Sequence, residues 1–139
     1  MRPICVMDCS YVSAFFLGEA EGGRFGEVYK QYHLHGEGVY VPGLFTFEVM
    51  NVLLCALRRK RISTEDAIAV RRDFQLFQFI KDSGPLEHHV ETIFDIADRH
   101  ALTFYDASYL ELAIRLGADL KTLDKDLLKL QKDFPWISD

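Results

Sequence analysis

The sequence predicts an α/β fold in which helices cover both faces of a central parallel sheet. Three observations predict it. Short strand-like segments alternate with segments of helical periodicity, and two of the strands end at a carboxylate. The third is size: 139 residues with 49% hydrophobic side chains supply one core and leave too little for a second. Residues 1–139 therefore read as a single domain, without repeat, low-complexity segment or linker.

The elements follow in order. Ile4 to Met7 is an uninterrupted apolar run ending at Asp8, the pattern of a strand buried on both faces. Gly18 to Gly26, rich in glycine and interleaved with charges, reads as a loop entering a helix. Gly38 to Val41 is a second buried strand, stopped by Pro42-Gly43. After it Phe45, Val49, Val52, Leu53, Ala56 and Leu57 recur at helical spacing up to the basic run Arg58 to Arg61. Ser63 to about Phe79 is expected to be helical, opened by Ser63 with Asp66 three residues on and followed by the breaker Ser83-Gly84-Pro85. From His89, the residues Val90, Ile93, Phe94, Ala97 and Ala101 make one apolar stripe. A further helix spans Phe104 to Leu116, with Gly117 as its stop. Asp119 to Leu123 reads as a strand before Asp124, Lys125 to Leu130 as a short helix, and Trp136-Ile137 as a last strand.

Composition bounds the function. The 16 Lys and Arg against 21 Asp and Glu give a net charge of −5, which argues against a simple phosphate-wrapping nucleic-acid coat. Three cysteines, Cys5, Cys9 and Cys55, show no CxxC spacing and cannot pair completely, which suits a reducing compartment and points to the cytoplasm. The apolar stretch before Asp8 is too short for a signal segment, and Val39 to Phe47 is far below a membrane span, so no membrane role is expected. The five histidines have no HxxxH or HExxH spacing, which speaks against zinc.

The chemistry is expected at the carboxyl ends of the strands, where open α/β sheets keep their working crevice. Asp8 ends the first strand with Ser10 two residues on. Asp124 follows a later strand with Thr122 two residues before. Glu48 lies in the first turns of the helix after the second strand with Asn51 at i+3, and Asp106 lies in the first turn of the helix preceding the Asp124 strand. Two such charges about 4 Å apart repel by roughly 4 kcal/mol at an effective dielectric near 20, so a cluster of these acids calls for a hard divalent cation such as Mg²⁺ or Mn²⁺. Each acid also has a purely local reading: Asp8 and Asp124 as helix N-caps, Thr103-x-x-Asp106 as a capping box, and Glu48 as a helix-dipole partner. Four unrelated caps explain the set poorly. Phosphatases of the haloacid-dehalogenase type want a second Asp where Ser10 stands, and receiver domains want adjacent acids before the first helix, which are missing.

The stretches Val6-Met7-Asp8-Cys9-Ser10, Phe47-Glu48-Val49-Met50-Asn51-Val52-Leu53, Tyr105-Asp106-Ala107-Ser108-Tyr109-Leu110-Glu111-Leu112-Ala113 and Thr122-Leu123-Asp124-Lys125-Asp126-Leu127 resemble the PIN-domain nucleases, especially VapC-like toxins of type II toxin–antitoxin systems. The resemblance spans nearly the whole chain in order. It implies a three-layer α/β/α sandwich and a Mg²⁺- or Mn²⁺-dependent endoribonuclease acting on RNA, as a homodimer with a cognate antitoxin that lays an apolar segment over the toxin. It further implies Asp8, Glu48, Asp106 and Asp124 as the catalytic quartet and Ser10, Asn51 and Thr122 as supporting groups. Asp8 and Asp106 would ligate the first metal and Asp124 a second, weaker site; Asp126 stands nearby, and its own first reading is a solvated helix residue. The competing reading is a PIN-like RNA- or protein-binding module without turnover. Cys9 and Lys121 depart from the family pattern, and the sequence leaves open whether Lys121 faces the pocket. The run Arg58 to Arg61 has two readings, a solvated helix end or an RNA contact. The Phe-rich segment Phe74 to Ile80 likewise reads as core or as a partner patch.

Overall fold

A computed structural model describes all residues 1–139. Five strands, β1 (Ile4–Met7), β2 (Gly38–Val41), β3 (Ile80–Lys81), β4 (Asp119–Lys121) and β5 (Ile137–Ser138), form one sheet in the order β3-β2-β1-β4-β5. Every pairing is parallel, and β1 sits in the middle with Cys5 opposite both Val39 and Asp119. That position explains its uninterrupted apolar run, because Cys5, Val6 and Met7 are all fully buried.

Seven helices connect the strands: α1 (Cys9–Phe16), α2 (Phe25–His35), α3 (Phe45–Arg58), α4 (Thr64–Phe74), α5 (Val90–His100), α6 (Phe104–Leu116) and α7 (Lys125–Leu128). Parallel crossovers are right-handed, and the chain steps outward from β1 to β3 before crossing back to β4 and β5. Helices α1 to α4 therefore cover one face and α5 to α7 the other, which is the three-layer α/β/α sandwich. The packing agrees, with α1 against α2 and α3, and α5 against α6.

Between β1 and β4 the chain changes direction across the sheet. The segment after β1 turns to one face and the segment after β4 to the other, opening a crevice between their carboxyl ends. Asp8 is the single residue separating β1 from α1, and Asp8 N donates to Lys121 O at 3.1 Å, so the two strand ends are held in register at this point.

Several boundaries differ from the sequence expectation. The helix expected over Ser63–Phe79 has the predicted start, where Ser63 and Asp66 form a reciprocal capping box, but it ends at Phe74. The chain then turns so that Phe77 packs edge-on or tilted against Phe16, Phe25 and Tyr29, and Phe79 edge-on against Tyr29, while Gln78 N donates to Tyr29 Oη at 2.8 Å. Aromatic burial thus overrides helical continuation and creates the edge strand β3, which no sequence signal marked. Leu76 and Ile80 stay exposed, so the Phe-rich segment is mostly core. The stripe expected to reach Ala101 ends at His100, because Ala101 takes a left-handed φ of 53°. Strand β4 stops at Lys121 and not Leu123, α7 ends at Leu128 and not Leu130, and the last strand is shifted one residue to Ile137–Ser138.

The Gly-rich segment holds a 3₁₀ turn, Ala20–Arg24, leading into α2. Gly22 is required there because a Cβ would come within 2.3 Å of the Phe15 backbone nitrogen, so this turn lies directly on α1. The three cysteines are free, and no helix is long and apolar enough to cross a membrane.

Candidate active site

A cavity of about 620 Å³ opens at the carboxyl ends of β1 and β4, and all four predicted acids, Asp8, Glu48, Asp106 and Asp124, line it. Their local and shared roles coexist. Asp8 is the N-cap of α1, with Oδ1 accepting from Tyr11 N at 3.0 Å. The same carboxylate accepts from Ser10 Oγ at 2.6 Å and, on Oδ2, from Thr122 Oγ1 at 2.5 Å. Each hydroxyl has one proton and has committed it to Asp8, so the 3.4 Å approach of Ser10 Oγ to Thr122 Oγ1 adds no bond between them. Both oxygens accept in turn: Leu123 N donates to Ser10 Oγ at 2.9 Å and Asp124 N to Thr122 Oγ1 at 2.9 Å. Ser10 and Thr122 therefore lock the Asp8 carboxylate to the backbone that carries Asp124.

Asp124 is the N-cap of α7, its Oδ1 accepting from Asp126 N and Leu127 N. Asp106 sits in the first turn of α6, where Thr103 Oγ1 accepts from its backbone N–H at 3.0 Å. Glu48 projects from the first turn of α3 and its Oε1 accepts from Tyr109 Oη at 2.6 Å. Tyr109 is fully buried, lies one turn beyond Asp106, and lines the same cavity. It stands within the Tyr105–Ala113 motif, and its i+3 spacing from Asp106 is the signal that could have singled it out.

The electrostatics are strained in one direction. Burial pushes the Asp8 carboxyl up to about 6, against the lowering effect of its Ser10, Thr122 and Tyr11 hydrogen bonds. Asp106 is also pushed up to about 6, first by burial and then by the charge of Asp124. Glu48 is raised by burial, and the Cys9 thiol is pushed up to about 12, mainly by burial and then by Glu48 and Asp8. None of the four acids has a Lys, Arg or His ion-pair partner.

That donor set fits a hard divalent cation. It offers carboxylate oxygens in one cavity, without a histidine and with its thiol held protonated, and the missing positive charge is what the repulsion among the acids lacks. No three His, Cys, Asp or Glu side chains converge tightly enough to enclose an ion, and a hard cation such as Mg²⁺ needs only one or two carboxylates beside its own waters.

The structure also places Asn51, Asp126 and Lys121. Asn51 is exposed and outside the cavity, which Val52 lines instead. At about 100° per residue, i+4 lies about 40° from Glu48 around the helix and i+3 about 60° to the other side, so only Val52 follows Glu48 inward. Asp126 is exposed and pairs with Lys129 at 3.1 Å. Lys121 turns away, with Nζ donating to Ser138 Oγ at 2.7 Å and to the Asp139 carbonyl at 3.0 Å. Two acids that sequence reasoning did not select, Glu19 and Glu21, stand on the cavity rim, carried there by the turn that Gly22 seats on α1.

Comparison with known proteins places this geometry in context. The sequence matches the PIN domain family over residues 5–133. Ribonuclease VapC3 of Pyrobaculum aerophilum is 27% identical over 123 residues, covering 88% of this chain and 90% of that protein. The crystal structure of PAE2754 from Pyrobaculum aerophilum superposes with a TM-score of 0.64 at 25% identity, covering 90% of this chain and 77% of that one. Mycobacterium tuberculosis VapC20, described as a sarcin-ricin loop cleaving toxin, shares the fold with a TM-score of 0.54 at 18% identity, covering 88% of this chain and 91% of that one.

Proposed function

This chain belongs to the PIN-domain family, and from that premise we propose that it is a divalent-metal-dependent endoribonuclease, the toxin of a toxin–antitoxin pair. The observation that carries the reading is the convergence of Asp8, Glu48, Asp106 and Asp124 on one cavity at the switch point of the sheet, with no cation paired to any of them. The resemblance to ribonuclease VapC3 supports RNA as substrate and the toxin role.

Asp8, Asp106 and Asp124 would hold Mg²⁺ or Mn²⁺. When bound, such an ion supplies polarisation of the scissile phosphate and a lowered pKa for an attacking water. The chain's own residues set the stage for that. Ser10 and Thr122 fix the Asp8 carboxylate in one orientation, so its oxygens need no reorganisation as charge builds up. Tyr109 occupies Glu48 Oε1 and leaves Oε2 to accept a proton from water in the cavity. A homodimer and a cognate antitoxin belong to the same reading. Both would cover apolar side chains that the single chain leaves in water, among them Phe47, Leu76 and Phe94.

The test is RNA cleavage titrated with Mg²⁺ or Mn²⁺ for wild type, Asp8→Asn and Asp106→Asn. Metal-dependent cleavage by wild type that both variants lose is the expected result, and equal, metal-independent cleavage by all three refutes it. Binding of RNA or protein by a wild type that never cleaves would establish the silent module instead. The toxin role is checked separately, by whether the adjacent reading frame encodes a small DNA-binding protein that suppresses the activity.

A further inference from the structure

Arg58 to Arg61 place a quarter of the chain's 16 Lys and Arg in four consecutive residues. A helix dipole attracts cations to its last turn, yet only Arg58 lies inside α3. The remainder is shaped by a Schellman turn, in which Lys60 N donates to Leu57 O, Arg61 N donates to Ala56 O, and Lys60 takes a left-handed φ of 57°. This turn sends Arg61 back over α1. The Arg61 side chain borders a small cavity with Leu17 and Ala56, and its guanidinium meets Glu19 Oε1 at 3.5 Å. Glu19 stands on the rim of the acid cavity.

The run is therefore at the far end of the wall that presents Glu48. Ten residues of α3 separate Glu48 from Arg58, about 15 Å of helix. Arg58, Arg59 and Lys60 are exposed and form no ion pair, so three cations face solvent beside a cavity whose own charge repels a polyanion.

We propose that Arg58, Arg59, Lys60 and Arg61 are the strip that anchors phosphates of an RNA strand running into the cavity, with Arg61 exchanging its Glu19 partner for a phosphate. The inference rests on the ribonuclease reading and adds to it the direction of the strand, along α3 from the basic turn toward Glu48. An acidic cavity cannot attract its substrate by itself, and this strip supplies the attraction about 15 Å along α3, where it does not neutralise the acids.

The test is binding of a fluorescein-labelled single-stranded RNA oligonucleotide of mixed sequence, followed by anisotropy across a salt titration in the Asp106→Asn background with Mg²⁺. R58Q/R59Q/K60Q lowers the slope of log Kd against log salt by about 2, at roughly 0.7 for each single-strand phosphate that no longer has a cation beside it. The pair K30Q/K132Q, on α2 and on the 3₁₀ turn before β5, leaves the slope unchanged. Glu19→Gln releases Arg61 and tightens binding several-fold, more than Glu21→Gln, which removes the same charge from the cavity rim without freeing an arginine; misfolding cannot produce such a gain. An unchanged slope in R58Q/R59Q/K60Q, or weaker binding by Glu19→Gln, overturns the proposal. If wild type cleaves RNA with metal while the slope is unchanged, this inference alone falls. If wild type neither binds nor cleaves RNA, the ribonuclease reading falls and takes the inference with it.

Discussion

The Tyr109 hydroxyl donates to Glu48 Oε1 at 2.6 Å, joining α6 to α3 across the mouth of the acid cavity. The tyrosine ring is fully buried, so its position is set by packing, whereas Glu48 is on an otherwise mobile three-bond side chain. One rigid residue thereby fixes where a flexible carboxylate sits. Tyr109→Phe keeps the ring and removes the bond. We expect about a tenfold loss of metal-dependent cleavage, because Glu48 Oε2 is no longer held toward the cavity water, with little change in Mn²⁺ affinity or Tm. In the Glu48→Gln background the same substitution should cost much less. Equal losses in both backgrounds would mean that Tyr109 acts on something other than Glu48.

Acidity and metal should act on stability in opposite ways. Asp8 and Asp106 have folded pKa values of about 6 against an ordinary 3.8, so between those values the native state binds more protons than the unfolded one. Stability of the metal-free protein is thus favoured by these groups below about pH 4 and declines as pH rises through about 6. Melting curves in EDTA should show Tm falling across that window, and Asp8→Asn should flatten the fall. Mg²⁺ or Mn²⁺ should raise Tm strongly above pH 7 and weakly near pH 5, where protons compete for the same oxygens. A metal-free Tm that rises with pH through the window would refute this account.

Thr122 donates to Asp8 and accepts from Asp124 N, and it is completely buried. Thr122→Val preserves the shape and leaves Asp8 with one fewer donor. A hydrogen bond to a charged acceptor contributes about 1.5–3 kcal/mol, so the metal-free variant should lose about that much at pH 7. The loss should shrink near pH 4, where Asp8 is protonated. Chemical denaturation at the two pH values reads the difference, and a pH-independent loss would show that the packing of Thr122 matters more than its hydroxyl.

A second charged group is structural. Glu111, buried in α6, accepts from Arg115 Nε at 2.8 Å, and Arg115 also holds Asp82 at 2.6 Å, tying the segment after β3 to α6. Removing the arginine leaves that buried carboxylate with only His89 Nδ1, at 3.6 Å. Arg115→Met should destabilise by about 2–3 kcal/mol, below the range for a fully buried pair because Arg115 is 30% exposed. The double variant E111L/R115M should recover most of it, and cleavage should persist in whatever fraction is folded. If the double variant is no better than Arg115→Met, the cost does not come from the unpaired Glu111.

The sequence by itself located the four acids and the order of every strand but β3. An uninterrupted apolar run is the pattern of a strand buried on both faces, so Ile4–Met7 read as a strand of a parallel sheet, with the acid directly after it at the strand's carboxyl end. The same local logic located Glu48, Asp106 and Asp124, and the spacing of Ser10 and Thr122 about the strand ends, because turns and first helical turns constrain neighbouring side chains strongly.

Relations between distant segments were decided only by the tertiary structure. Asn51 and Val52 are both near Glu48 in sequence, and the docking angle of α3 selects Val52. Lys121 faces the chain end because β5 pairs beside β4, and the Tyr109–Glu48 bond exists because α3 and α6, on opposite faces, both begin at the carboxyl ends of the strands, which brings together residues 61 positions apart in the chain. Arg61 reaches Glu19 through a left-handed Lys60 that no sequence rule anticipates. Side-chain direction within one helix or strand follows from periodicity, but which residue meets which across elements is a property of packing, and packing is set by all the elements together.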